Sequence, residues 1–98
     1  MGIVAYDEGL AERVRSRLGD VPTRRMFGGL VFLRDGAIAA GVYGPDLLVR
    51  VAPDAMTATL ARLGARPFEM GGRATRGFVL VAAGTLDDET LDGWLAGQ

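Results

Sequence analysis

The sequence predicts an α+β domain, a two-layer sandwich in which helices pack on one face of an antiparallel sheet. Three observations carry that prediction. Residues 24–51 hold three short apolar runs separated by Asp35-Gly36 and Gly44-Pro45-Asp46, which are hairpin signals and make a β-meander. Segments on either side of it, and one at the end of the chain, space their apolar residues as amphipathic helices do. The resulting order, α-β-β-β-α-β-β-α, groups its strands in consecutive antiparallel runs instead of alternating them with helices as a doubly wound parallel sheet does. At 98 residues the chain is one domain, 1–98, without repeat, linker or low-complexity stretch.

The first helix is expected over Asp7–Leu18. Leu10, Val14 and Leu18 recur at i, i+4, i+8, and Ala11 widens the stripe. Gly19 suits the position after the helix, and Val21-Pro22 forbids its continuation. Tyr6 and the Ile3–Val4 pair are apolar enough to pin the helix start. The first strand is expected over Met26–Leu33, where Gly28-Gly29 signals a bulge or a close backbone approach. In the second, Ala37–Tyr43, alternation puts Ile38, Ala40 and Val42 on one face and Ala37, Ala39, Gly41 and Tyr43 on the other. This second face is apolar, to be covered by a second subunit, by the chain itself or by a partner.

Leu47–Val51 is the third strand. Pro53–Leu63 is the second helix, with Pro53 at its first turn, Met56, Leu60 and Leu63 as its buried stripe, and Gly64 closing it. Pro67–Met70 is a short extended piece, Gly71-Gly72 a turn, Arg73–Arg76 a polar link and Gly77–Ala83 a strand. Asp87–Ala96 is the last helix, burying Leu91, Trp94 and Leu95, with Thr85 and Asp88 spaced as a capping box.

The chain has no Cys, His or Lys, and Ser16 is its only serine. Thiolate and imidazole catalysis, disulfides, Cys or His metal sites, Schiff-base chemistry and a serine triad are therefore closed to it. No catalytic residue, metal or cofactor is expected. No apolar run approaches a membrane span, and the N-terminus lacks the basic region of a signal peptide, so a cytoplasmic location is expected. Net charge is −1, but residues 21–80 carry eight Arg against four acids, and residues 81–98 carry four acids and no base. Such asymmetry suits either an interaction face or solvated sheet edges beside an acidic helix start.

At several places the residues take on a familiar form. Tyr6-Asp7-Glu8-Gly9-Leu10, Arg25-Met26-Phe27-Gly28-Gly29-Leu30, Asp46-Leu47-Leu48-Val49-Arg50, the run Arg66-Pro67-Phe68-Glu69-Met70-Gly71-Gly72-Arg73, and Gly77-Phe78-Val79 resemble, in that order, the TfoX N-terminal domain family, named for the TfoX/Sxy competence regulators. Thr75 stands near a place where that family commonly has Met. The resemblance implies a curved sheet with helices on one side, similar to secretion-chaperone-like folds. It also implies a stand-alone N-terminal module, without the C-terminal domain thought to contact DNA in regulatory members.

The expected function is a non-enzymatic protein-interaction module, homodimeric, with an unknown protein partner and a link to regulation of competence-like genes. The alternative is direct nucleic-acid binding. The candidate interaction residues are Arg24, Arg25, Arg66, Arg73 and Arg76. Arg73, bracketed by turn glycines, has no evident packing role, unless it ties its loop to Glu69 or to the acidic last helix. Phe27, Phe32 and Phe78 read as core more than as base-stacking platforms. A ligand pocket under Arg66–Gly77, with Arg73 as anion anchor, is a further expectation. An enzyme would have to use Glu69 as a base, against its simpler role as an exposed edge acid paired with an Arg.

Overall fold

A computed structural model describes residues 6–26, 28–70 and 72–96. Expectations for Ile3–Val4, Phe27, Gly71 and Gly97 lie outside these residues. Helix α1 spans Glu8–Leu18, β1 Thr23–Met26, β2 Gly29–Arg34, β3 Ala37–Tyr43, β4 Asp46–Arg50, α2 Met56–Leu60, β5 Ala65–Met70, β6 Arg73–Val81 and α3 Asp88–Leu95. All strands pair antiparallel in one sheet of order β1-β2-β3-β4-β6-β5. Between β4 and β6 the chain passes through α2, reaches the sheet edge as β5 and returns into the vacant place. The α+β fold with a curved sheet and helices on one face is the expected one.

The sheet has one more strand than the hydrophobic pattern resolved. Met26 pairs with Gly29, so the segment read as a single strand over Met26–Leu33 reverses around Gly28, whose φ is +78°. Thr23–Met26 thereby becomes an edge strand, and Gly29 lies against β3 so closely that a Cβ there would sit 2.4 Å from the Val42 carbonyl oxygen. The Asp35-Gly36 turn has positive φ at both residues (54° and 82°), as a type I′ hairpin requires.

Two apolar layers flank the sheet. Leu30, Phe32, Ala40, Val42, Leu47, Val49, Val79 and Val81 face the helices and meet Leu10, Val14, Leu91 and Trp94. On the reverse face Val31, Leu48, Phe68 and Leu80 form a second buried cluster with no helix over it. Ile38 joins this reverse layer, against simple alternation. Phe32 pairs with Ala40 and Leu33 with Ile38, so Ala39 is an extra residue that flips everything before it to the other face. The reverse face is covered by the chain itself. Tyr43 of β3 stacks edge-on against Phe68 of β5 at 5.2 Å, although two strands lie between them in the sheet. Only a strongly curled sheet brings them together.

The helical layer departs from expectation at two ends. Pro53–Ala55 is a 3-10 turn leading into α2, which stops at Leu60, and Leu63 is 83% exposed instead of buried. The cap of α3 is Asp87, whose carboxylate accepts from the Thr90 N–H at 2.8 Å, and not Thr85, whose hydroxyl donates to the Ala82 carbonyl. At the start of α1, Asp7 is the cap and its own N–H donates to the Gly44 carbonyl, fixing the helix to the β3–β4 turn.

Candidate binding site at the bow of β6

Opposite β5, strand β6 is irregular. Glu69 pairs with Ala74 and Pro67 with Val79, so β5 spends one residue, Phe68, where β6 spends four, Thr75 to Phe78. Strand β6 therefore bows away from its neighbour. Gly77 makes the bow possible with φ +87°, a value costly for any side chain, and its carbonyl is held by the Val51 N–H at 2.7 Å. The polar link expected over Arg73–Arg76 is part of this strand.

The bow opens a groove. A depression of about 660 Å³ is lined by Arg50, Val51, Pro53, Arg76, Gly77 and Phe78. A smaller one of about 140 Å³ lies between Met56, Leu60, Pro67, Thr75, Arg76 and Phe78. Arg76 and Phe78 line both, and no acid among the described residues lines either. Arg76 engages no carboxylate among the described residues.

The five arginines singled out in the sequence are not brought together. Arg24, Val31, Gly41, Leu48, Leu80 and Arg66 form one cross-sheet row on the reverse face, with an arginine at each end. Five strand spacings separate those ends, roughly 24 Å measured along the sheet. Arg25 points to the helix face, its guanidinium 5.9 Å from the Tyr6 ring. Arg66 donates to the Asp46 carboxylate at 2.5 Å. Arg73 is exposed beside the β5–β6 turn and bonds neither Glu69 nor the last helix. Glu69 is exposed on the edge strand, and Arg66, one of the arginines near it in sequence, bonds Asp46 instead.

Sequence reasoning missed Arg50, which stands beside Arg76 in the groove only because Arg50 pairs with Phe78 across β4 and β6. It also took Asp46 for a turn residue. Asp46 is 8% exposed, and its second oxygen accepts from the Ala83 N–H at 3.0 Å, so it ties β4 to both β5 and the chain after β6.

The acids of the C-terminal segment are engaged elsewhere. Arg13 donates to the Leu86 carbonyl at 2.7 Å and to Asp88 at 3.2 Å, while Arg17 bonds Asp88 at 3.1 Å and Asp92 at 2.5 Å. The hydrogen bond that Arg17 donates to Asp92 is the main reason its guanidinium holds its proton more tightly than usual. Asp87, bonded first by the Thr90 N–H and then by its hydroxyl, titrates below the ordinary carboxylate value.

No set of His, Cys, Asp and Glu among the described residues is arranged to hold a metal ion, and no described helix is long and apolar enough to cross a membrane. No curated protein and no solved structure matches the chain. A family model does: the TfoX N-terminal domain, a non-catalytic regulatory-type family, matches residues 12–96, which takes in every strand, the bow of β6 and the last helix. The chain belongs to the TfoX N-terminal domain family.

Proposed function

We propose that this domain is a non-catalytic regulatory module that docks an anionic segment of a partner protein at the Arg76 end of its sheet, in the control of competence-like genes. One observation carries the proposal. Asp88 and Asp92 are drawn to the arginines of α1, whereas the groove at the bow of β6 has Arg76 in its lining and no carboxylate among the described residues. Arg76, which bonds no carboxylate among the described residues and stands beside apolar surface, suits recognition of an anionic group on another molecule.

Direct binding of duplex DNA fits the same surface less well. It needs many phosphate contacts from one face, and the five arginines divide between the two ends of the sheet, with Arg66 committed to Asp46. A homodimer is part of the proposal too. With the reverse face closed within the chain, its interface lies elsewhere, and sedimentation equilibrium reads it as twice the 10.3 kDa chain mass.

The test is retention of partners from the source cell's extract on the immobilised domain, compared with Arg73→Ala/Arg76→Ala. Proteins retained by the parent and lost from the double variant support the proposal; identical retention on both sinks it. Anisotropy of labelled duplex DNA at low and physiological salt is the second arm. Tight binding with a steep salt dependence, weakened in the variant, would move the function to nucleic acid.

A further inference from the structure

We infer that the groove at the bow of β6 takes an extended acidic peptide, with an Asp or Glu carboxylate on Arg76 and a neighbouring aliphatic side chain in the Met56–Leu60–Pro67 depression. The inference rests on the interaction-module proposal and names the chemistry of its partner.

The two halves of the groove ask for two different groups. The larger half carries the guanidinium of Arg76, with Arg50 in the same lining, and a planar guanidinium fork matches a carboxylate bidentately. The smaller half, about 140 Å³, is walled by Met56, Leu60, Pro67 and the ring of Phe78. An apolar space near 150 Å³ accommodates a group of benzene size, so a single Leu, Ile, Val or Met side chain fills it. Arg76 and Phe78 belong to both halves, which sets the acidic and aliphatic groups next to one another. In an extended chain, residues one or two apart span about 3–7 Å, the separation such neighbours require.

Other occupants fit less well. Small-molecule sites enclose most of their ligand, whereas this groove is open along its length. A polynucleotide would meet two arginines and one half-buried ring on a chain of net charge −1, too little for a run of phosphates or for successive stacked bases. A short peptide needs one charge contact and one apolar anchor, and both are present.

The experiment is selection of a displayed random dodecapeptide library on the immobilised full chain. The best sequence is then synthesised, labelled and titrated by anisotropy. The expected result is enrichment of Asp or Glu within two positions of an aliphatic residue. Arg76→Ala should weaken the selected peptide at least ~10-fold, equivalent to about 1.4 kcal/mol. Arg15→Ala, on the far exposed face of α1, should leave its affinity unchanged. Selection on Arg76→Glu should enrich Lys or Arg instead. Circular dichroism of each variant confirms that it folds.

Peptides that bind the parent and Arg76→Ala alike overturn the groove assignment while leaving the interaction module standing. No enrichment overturns the inference as well, and partner retention from extract then judges the broader proposal separately. Labelled oligothymidine that binds the parent, and is lost in Arg76→Ala, assigns the groove to nucleic acid and overturns both.

Discussion

Asp46 brings a carboxylate to the nearly closed end of β4, where each oxygen has one partner: the Arg66 guanidinium and the Ala83 N–H. Asp46→Ala leaves that N–H without its acceptor and should lower stability by about 1–3 kcal/mol in urea unfolding. Arg66→Ala should cost less than about 1 kcal/mol, because Arg66 is half exposed and water screens its share. The role of Asp46 was partly legible. An acid at the start of Asp46-Leu47-Leu48-Val49 shares its face with Leu48, and an inward acid needs a partner. The partner itself was not legible, because Arg66 and Ala83 reach it only through the crossing of β5 and β6. Asp87 acts in the other helical layer. Asp87→Ala removes the cap of α3 and should lower the urea midpoint. Its folded pKa lies below the ordinary 3.8, so its contribution is complete above that value and is lost as pH falls through the depressed one. Urea unfolding of the parent and Asp87→Ala, read by Trp94 emission at a series of pH values, should show a constant gap between the two above pH 3.8 that closes as pH falls through the depressed pKa.

Among the elements, the hairpins were read from turn chemistry and the interruptions were not. Asp35-Gly36 and Gly44-Pro45 fall where turns were expected, the second without Asp46, because positive φ at Gly36 and Gly44 leaves a mark in the sequence. The reversal at Gly28 was hidden inside an apolar run, and the extra residue at Ala39 has no sequence signature, since an alanine fits either face. The β6 bow was similarly masked: Thr75 and Arg76 are polar where they line an opening, and polarity reads as a loop. Glycine substitutions separate the two ways in which these elements depend on glycine. Gly29→Ala places a methyl 2.4 Å from the Val42 carbonyl oxygen, so backbone must move, with an expected loss of about 1–3 kcal/mol. Gly72→Ala meets no atom within 4 Å and is opposed only by its φ of +82°, about 1 kcal/mol. Urea midpoints should fall in that order.

For the whole molecule, the decisive feature is that one sheet supports two apolar layers with helices on only one of them. Composition announced enough apolar residues for both, but an alternating strand cannot say whether its second face is closed by a neighbour or by its own curl. The curl comes from the irregularities at Ala39 and in β6, and the contact between Tyr43 and Phe68 records it. Phe68 is thus 1% exposed on a sheet face that no helix covers. Because the chain alone closes this face, Phe68→Ala should behave as a core truncation and lose about 3–5 kcal/mol. The loss should match that of Phe32→Ala beneath the helices, and it should be the same at low and high protein concentration. A loss that shrinks on dilution of the parent and variant together would mean that a second copy supplies the cover, because association adds stability only through mass action. Urea midpoints of the parent and both variants, each taken at two concentrations, separate a curled sheet that closes its own face from one that needs a partner to do so.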